Sequence, residues 1–227
     1  MPAFETVRDG VRRPFDEIAR TPRGLVRFSN EPVDDATVLL CLDLAVQAIA
    51  PAPRRTEFLV LRDGDRKHQL ARIYRQGWAV YRRLLKLRRS AGIEARQWEA
   101  DHFEDVPVMV VACVHGSPPV FPAFSAARYY GSVFPALENL LLAAHAMGLG
   151  ATVTTLPIWS QWQARRTLEL PSSVTAVAVV PMGWPREPGG RPAAGIPVRA
   201  QVHYDHWGHR EPDTDAAPPR PAAGTAE

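Results

Sequence analysis

The sequence predicts a single domain of the α+β or α/β class, in which helices cover a sheet of buried strands. Three short runs, at residues 58–61, 107–114 and 173–182, are almost entirely apolar and lack polar alternation, as in strands covered on both faces. The segments between them repeat apolar residues every three to four positions, which is the period of an α-helix. Because strands and helices alternate and no segment repeats another, we expect one layered sandwich rather than two domains.

Composition and charge exclude several classes of protein. With 227 residues and 46% hydrophobic side chains, the chain can bury a sizeable core. The formal net charge of +3 is too small, and the cations are too dispersed, to favour nucleic acid as a partner. No apolar run approaches the roughly 20 residues that cross a bilayer, and charged residues near the first methionine do not suit a secretion signal. We therefore expect a cytoplasmic protein with no membrane or nucleic-acid partner.

The first half of the chain contains three segments with helical periodicity. They span residues 5–20, 36–50 and 66–90. Pro14 interrupts or restarts the first of them, because proline cannot donate to the helix ladder. Asp34 and Asp35 precede the second and predict an N-terminal cap. The polar segment 91–104 is compatible with either a loop or a short covering helix.

A stretch in the second half, residues 129–155, is the centre of the predicted fold. From Tyr130 to Met147, apolar side chains recur at helical spacing and the residues between them are mostly small or apolar. Gly148 and Gly150 mark the end of this helix, because either can adopt the left-handed conformation of a C-terminal cap. The β-branched run that follows is predicted as a short strand. The pattern therefore indicates a buried helix that leads into the sheet.

The last part of the chain contains one further helix, predicted at residues 158–170, before the final buried strand. Residues 183–197 are dense in glycine and proline and are predicted as a surface loop, followed by an extended arm at 198–207. Residues 211–227 lack the apolar content needed to pack, so we expect them to be disordered. The predicted domain therefore covers residues 1–210.

Cysteine and histidine do not predict a catalytic thiol or a metal site. Cys41 and Cys113 lie among apolar neighbours and are interpreted as small buried hydrophobic residues. His203, His206 and His209 are spaced by three in a segment predicted to be extended. Such spacing does not bring the side chains together as zinc requires, so no metal site is expected.

Five short segments form a distinctive combination. They are RF at 27–28 with PV at 32–33, PVMVVACV at 107–114, ENLLLAAHAMGLGATVTT at 138–155, VVPMGWP at 179–185 and HYDHWG at 203–208. In this combination the chain resembles the nitroreductase-like flavoproteins from about residue 20 to residue 210. The resemblance implies an α+β three-layer sandwich with a central mixed sheet flanked by helices. It also implies an intertwined homodimer with a C-terminal arm.

The resemblance further implies a site for the phosphate of FMN early in the chain. The family commonly uses an Arg-(Arg)-Ser-x-Arg motif there, because a dianion requires guanidinium and hydroxyl donors. In the matching segment Arg23 retains the guanidinium, while Gly24 replaces the hydroxyl residue and Val26 replaces the second cation. Arg27 is the neighbouring candidate for the missing cation. Arg23 and Arg27 are therefore the expected phosphate ligands.

Two later family motifs for FMN are substituted in this chain. After the first main helix the family has Pro-Ser-x-x-Asn-x-Gln-Pro-Trp, whereas residues 50–57 read APAPRRTE. Arg54 and Arg55 could contact a flavin carbonyl or phosphate instead, and solvated loop arginines are an equally open interpretation. The late arginine pair of the family is absent at residues 195–197, which leaves Arg191 and Arg199 as displaced candidates.

The reactive edge of the flavin is assigned by the same resemblance. In the family, backbone amides beyond the glycines of the central helix approach this edge, and the matching positions here are Thr154, Thr155 and Leu156. Nearby aromatic residues are candidates for an acceptor pocket, although core packing explains aromatic residues equally well. These candidates are Phe121, Phe124, Tyr129, Trp159 and Trp162.

The resemblance implies a homodimeric FMN-dependent oxidoreductase with the flavin at the subunit interface. It would pass hydride from NADH or NADPH to a small conjugated or nitroaromatic acceptor. A flavin oxidase that returns electrons to oxygen is a second possibility. The substituted motifs at residues 22–26 and 50–57 leave a further alternative open. In that alternative the fold has lost the usual FMN binding and serves as a flavin-free enzyme, a ligand-binding protein or a partner subunit.

Overall fold

The fold is described from a computed structural model of the 227-residue chain. The structure describes residues 14–20, 27–49, 56–86, 88, 90–116, 118, 123–131, 133–186 and 201–209. The chain divides into two compact units, Met1–Arg191 and Pro192–Glu227, and each is described by itself. The predicted boundary at residue 210 stays a prediction, since the residues around it lie largely outside the described part.

The first unit is built on a four-stranded sheet with the order β1-β2-β4-β3. Its strands are β1 Thr56–Leu61, β2 Val108–His115, β3 Gly150–Ala151 and β4 Val174–Gly183. All of β4 is buried, and β2 is buried from Val108 to Val114, as expected for apolar runs without polar alternation. Every described pair of strands is antiparallel, whereas the sequence-based expectation was a mixed sheet.

Seven α-helices are described in this unit. They are α1 Phe15–Arg20, α2 Asp35–Val46, α3 Gly64–Leu84, α4 Ala91–Asp101, α5 Ala123–Tyr130, α6 Val133–Ala146 and α7 Gln161–Leu168. Two short 3₁₀ turns, at Phe103–Asp105 and Leu156–Ile158, complete the described helical elements. Among the described residues, no helix combines the length and the apolar content that a membrane span requires.

The sheet lies between two apolar cores, which confirms the three-layer sandwich. Along β2, even-numbered residues from 108 to 114 belong to the first core and odd-numbered residues from 109 to 113 belong to the second. This alternation follows from the period of two of a β-strand. Helices α2 and α6 cover the first core, and helices α3, α4 and α7 cover the second.

Side-chain caps fix where two of the helices begin. The Asp34 carboxylate accepts hydrogen bonds from the Thr37 amide at 2.8 Å and from the Thr37 hydroxyl at 2.7 Å, which confirms the predicted cap. These bonds lower the pKa of Asp34. The hydroxyl of Ser90 accepts from the amide of Ile93 at 3.4 Å and begins α4, so the ambiguous segment 91–104 is mostly helix.

The central helix is shorter than the sequence pattern indicated. The apolar spacing runs without a break from Tyr130 to Met147. In the structure α5 ends at Tyr130, and the central helix α6 begins only at Val133 and ends at Ala146. Pro135 occupies the first turn of α6, where a missing amide hydrogen costs nothing. Gly148 has φ +82° and ends this region as expected for a left-handed cap. The following strand is only Gly150–Ala151, and Thr154 then forms an isolated bridge with Val179.

The second unit is described only at residues 201–209, and this segment turns back on itself. The amide of Tyr204 donates to the carbonyl of His209 at 2.8 Å, and the ring of His203 stacks on Trp207 at 4.2 Å. The extended course expected for residues 198–207 is therefore not found in this part. The local cause is the set of turn hydrogen bonds and the positive φ of Asp205 and Gly208, at 58° and 95°.

Candidate active-site cavity

A cavity of about 410 Å³ opens at the end of the sheet where β2 begins and β4 ends. Its size falls within the usual range of small-molecule sites, roughly 300 to 1,000 Å³. Four separate parts of the chain form its wall. The first part contributes Arg27 and Phe28, and the second contributes Trp98 and Glu99 of α4 together with His102, Phe103, Asp105 and Val106, which follow α4. The third part contributes Thr152, and the fourth contributes Pro181 and Arg186.

Glu99 places a carboxyl group in the wall of this cavity although the residue is only 9% exposed. Its Oε2 atom accepts one long hydrogen bond, 3.4 Å, from Arg96 on the same helix. Its Oε1 atom has no hydrogen-bond partner among the described residues. Burial raises the pKa of Glu99, against smaller opposing effects of Tyr74 and Arg96. The side chain therefore favours the neutral acid more than an exposed glutamate does.

Tyr74 of α3 lies behind Glu99, and the residue is fully buried. Its hydroxyl neighbours the Glu99 carboxyl and the Thr154 hydroxyl without a hydrogen bond of ordinary geometry to either. Burial also raises the pKa of this phenol, so it stays protonated at neutral pH. The ring packs edge-on against Phe103 with centroids 4.7 Å apart. A buried polar cluster of Glu99, Tyr74 and Thr154 therefore adjoins the cavity.

Two guanidinium groups also line the cavity. Arg27 lies over the indole ring of Trp98, 4.8 Å from its centroid. The amide of Arg186 donates to the carbonyl of Arg27, and its side-chain Nε donates to the carbonyl of Phe28, both at 2.8 Å. These bonds link the two segments at the cavity. Guanidinium groups on the wall of a cavity are suited to a phosphate or another anion.

The three backbone positions assigned to the flavin edge differ in what their amides do. The Thr154 amide donates to the Val179 carbonyl at 2.9 Å, so the sheet already uses it. Within the described part of the chain, no hydrogen bond uses the amides of Thr155 and Leu156. Thr155 lies three residues beyond Thr152 of the cavity wall, so it is within about 10 Å along the chain. Of the three assigned positions, Thr155 and Leu156 are therefore the ones whose amides can donate a hydrogen bond to a flavin.

The structure does not bring the predicted pocket aromatics together. The Tyr129 hydroxyl donates to the Gly116 carbonyl at 2.9 Å, and its ring belongs to the first core. The indole of Trp159 donates to the Ile73 carbonyl at 2.9 Å, while Trp162 lines a separate groove between α3 and α7. The side chain of Phe124 lies outside the described part of the structure. Phe121 and the predicted cofactor ligands Arg23, Arg54, Arg55 and Arg199 also lie outside it.

A family model described as the nitroreductase family matches residues 23–184. The chain belongs to the nitroreductase family. This match includes all of the sheet and every described residue that lines the cavity except Arg186. The lining of the cavity therefore comes almost entirely from the part of the chain that defines the nitroreductase family.

Individual relatives of this nitroreductase-family chain are distant. A protein of Methanothermobacter thermautotrophicus, provisionally named NADH dehydrogenase/NAD(P)H nitroreductase, is 24% identical over 194 residues, which are 84% of this chain and 86% of the relative. Among solved structures, oxidized iodotyrosine deiodinase bound to FMN and 3-iodo-L-tyrosine has a TM-score of 0.65 at 20% identity, covering 86% of this chain and all of the other. The NADPH:FMN oxidoreductase of Vibrio harveyi, complexed with NAD+, has a TM-score of 0.61 at 17% identity, covering 88% and 80%. These likenesses show the nitroreductase fold.

Sequence reasoning missed most of the cavity of this nitroreductase-family chain. Of its described lining, only Arg27 was a predicted site residue. Glu99 and Trp98 fall in the segment whose structure was ambiguous, and Arg186 falls in a segment interpreted only as a loop. No sequence signal distinguished Glu99, because its helix also carries Glu94 and Asp101 and its apolar residues do not form a clear stripe. The proximity of Arg27 and Arg186 had no local signal, since the two residues lie in segments far apart in the chain.

Proposed function

We propose that this chain is an FMN-dependent oxidoreductase that holds its flavin at the cavity between α4 and the ends of β2 and β4. The proposal is carried by the placement of two guanidinium groups, Arg27 and Arg186, on the cavity of a nitroreductase-family chain. No single sequence motif brings them together. They supply the cations that the substituted early motif lacks.

The described residues fit FMN in three respects. Arg27 and Arg186 match the negative charge of the phosphate. The amides of Thr155 and Leu156 are available to donate to a polar edge of the ring. The cavity wall also supplies a buried acid, which suits the partly polar body of the ligand, while the ring of Trp98 is already in contact with Arg27 and His102. Arg23, Arg54, Arg55 and Arg199 remain additional proposed ligands from outside the described residues.

When bound, FMN supplies hydride chemistry between a nicotinamide donor and a second substrate. The part of this chain is to bind, orient and exclude water. We propose NADH or NADPH as the donor, in line with the name of the Methanothermobacter relative and the NAD+ in the Vibrio harveyi structure. The proposed acceptor is a small conjugated or nitroaromatic molecule. Trp159 and Trp162 lie away from the cavity within one chain. We propose them as residues of the acceptor pocket on the condition that the second subunit of a dimer brings them to the cavity.

We also propose that the protein works as a homodimer. Large apolar side chains are exposed on α1, α2 and α6, on the side of the first core: Phe15 is 71% exposed, Leu39 is 56% exposed and Phe134 is 50% exposed. Exposed apolar residues grouped on neighbouring helices favour a protein interface. A second copy of the chain is the partner that the family resemblance implies.

The proposed function is tested by the colour and redox behaviour of purified protein. After incubation with FMN and removal of the excess, the protein should be yellow, release FMN on denaturation and bleach when NADH or NADPH is added without oxygen. Titration of apoprotein with FMN gives the affinity. A folded, dimeric protein that stays colourless in excess FMN would exclude this function. That result would favour the flavin-free alternative.

A further inference from the structure

We propose that the end of α3 binds the surface of an anionic lipid bilayer. This surface, called the α3 tip, consists of the described residues from Val80 to Lys86 together with Arg88. The contact is peripheral, with apolar side chains in the interfacial layer of the bilayer and cations at the lipid headgroups. This inference goes beyond the proposed function, because binding to a bilayer does not depend on whether the chain holds FMN.

The α3 tip adds no buried side chain to the core of the first unit. Trp78 is the last buried residue of α3, and residues 79–86 are all exposed. The helical part of this segment, residues 79–84, is about 9 Å long, given the rise per residue of an α-helix. Packing within the described part of the unit therefore does not explain which side chains lie there.

Four large apolar side chains form a strip along the α3 tip. Val80 and Leu84 are four residues apart, and so are Tyr81 and Leu85, which places the two pairs in neighbouring rows on one side of the helix. Leu84 is 74% exposed and Leu85 is 53% exposed. Single exposed apolar residues are common on protein surfaces, whereas a group of them indicates a contact surface. The strip therefore favours a partner with an apolar part.

Cations occupy the rest of the α3 tip. Residues 82–89 read RRLLKLRR, and no acidic residue occurs between Asp65 and Glu94. Arg82 donates a long hydrogen bond, 3.4 Å, to the side chain of Gln97. Between described residues, no salt bridge involves the cations of the tip, which are Arg82, Arg83, Lys86 and Arg88. The tip therefore carries positive charge that favours an anionic partner.

A bilayer that contains anionic lipids provides both properties. Leucine side chains enter the boundary between headgroups and acyl chains, while arginine and lysine extend their charged ends to the headgroups. Nucleic acid offers negative charge but no comparable apolar layer for Leu84 and Leu85. An acidic protein would need carboxylates at positions that match each cation, whereas mobile headgroups adapt to cations at any spacing. The bilayer is therefore the partner that the tip fits best.

This inference revises the expectation that the chain has no membrane partner. That expectation rested on the lack of a spanning segment and on a net charge of only +3. Net charge averages over the whole chain, whereas attraction to a membrane surface depends on the cations within about 8 Å of it, the Debye length at physiological ionic strength. A cluster of cations at one end of a helix can therefore bind a membrane even when the chain as a whole is nearly neutral.

The test is co-sedimentation of the full chain with lipid vesicles. Vesicles of phosphatidylcholine alone are compared with vesicles of phosphatidylcholine mixed with phosphatidylglycerol, which is anionic. Wild type should bind the anionic vesicles more than roughly 100-fold more tightly, because each cation near such a surface contributes about fivefold. High salt should release the protein, since it screens this attraction. Equal binding to both vesicles, or binding to neither, would overturn the proposal.

Arg82→Gln combined with Arg83→Gln tests the cations of the tip. Loss of two cations should weaken binding to anionic vesicles by roughly 30-fold. Arg72→Gln combined with Arg166→Gln is the matched control, because it removes two exposed cations from the groove between α3 and α7 and lowers the net charge equally. The control should bind nearly as tightly as wild type. An equal loss in the two double variants would mean a general charge effect and would refute the α3 tip as the site.

Leu84→Gln combined with Leu85→Gln tests the apolar strip. This variant keeps every cation, yet binding should weaken at least roughly tenfold, because two leucines no longer enter the bilayer. Leu84→Met combined with Leu85→Met keeps an apolar strip and should bind as wild type does. Circular dichroism checks that each variant is folded, as expected for substitutions at exposed positions. Binding that is unchanged in the glutamine variant would contradict insertion of the strip.

Poly-L-glutamate is the probe for an acidic protein partner. It supplies dense negative charge without an apolar layer, so it should bind the tip more weakly than anionic vesicles do. Its binding should also be insensitive to Leu84→Gln combined with Leu85→Gln. Tight binding to poly-L-glutamate by a protein that binds neither kind of vesicle would assign the tip to an acidic protein and overturn the lipid proposal.

Discussion

At the scale of single residues, burial decides which ionisable groups are available for chemistry. Burial raises the pKa of the Cys41 thiol to about 12 and that of the Cys113 thiol to about 11. Both therefore stay protonated at neutral pH and lack the thiolate that a nucleophile needs. This agrees with the expectation that they are buried hydrophobic residues.

Arg186 provides the residue-scale test of the cavity as an anion site. Arg186→Gln should weaken FMN binding by about 1.5 to 3 kcal/mol, the usual range for a hydrogen bond to a charged group. This equals roughly 10- to 150-fold in Kd, measured by fluorescence titration of apoprotein. Arg83→Gln, in the exposed last turn of α3, removes one positive charge outside the cavity wall and should leave Kd unchanged. An equal loss in both variants would indicate only a general charge effect.

At the scale of elements, close packing fixes the turn that follows Thr155. Gly77 of α3 lies directly under Trp159, and a Cβ atom added there would lie 2.5 Å from the Trp159 Cδ1. The indole also donates to the Ile73 carbonyl, so the ring is attached to α3 at two points. This packing holds the 3₁₀ turn Leu156–Ile158, and with it the two candidate amides, against a rigid helix.

Gly77→Ala tests this packing. The new methyl group should force Trp159 to shift and destabilise the fold by about 1 to 3 kcal/mol, as overpacking does in other cores. Gly92→Ala is the matched control, because nothing lies within 4 Å of its added Cβ and alanine favours a helix by about 0.5 to 1 kcal/mol. Urea unfolding should therefore give changes of opposite sign. Equal stability of the two variants would contradict the close contact.

The N-terminal cap of α2 gives a second prediction for an element. Asp34→Ala should destabilise the fold by about 0.5 to 2 kcal/mol at neutral pH, because two hydrogen bonds to Thr37 are lost. The pKa of Asp34 is lowered from 3.8, so this contribution is present above that value and disappears as pH falls through the folded pKa. Asp43→Asn, on the exposed side of the same helix, should leave stability nearly unchanged. Urea unfolding at several pH values distinguishes the two.

At the scale of the whole molecule, packing within one chain does not explain the exposed apolar side chains on α1, α2 and α6. The proposed dimer buries it, and an interlocked assembly should bury well above the ~1,600 Å² of a standard interface. Phe134→Asp should therefore produce monomers in sedimentation experiments at micromolar concentration. Leu84→Asp changes an exposed apolar residue at the end of α3, which covers the second core on the other side of the sheet, and should remain dimeric. A monomeric wild type would contradict the dimer.

The sequence by itself determined the layers and several boundaries of this protein. Apolar runs predicted β1, β2 and β4. Asp34 marked the beginning of α2, and Gly148 marked the end of the α6 region. These signals are local, because each acts within a few residues of the chain. The resemblance to the nitroreductase family was likewise a property of local segments, and the match over residues 23–184 confirmed it.

Only the tertiary structure decided the site. Arg27, Glu99, Thr152 and Arg186 come from segments distant in the chain, and no local pattern records that they share a cavity. No local pattern indicated either that the amide of Thr154 donates to the carbonyl of Val179 in β4. Local propensity and periodicity specify which elements form and which face is buried, whereas the groups that meet at a cavity depend on how those elements pack across the sheet.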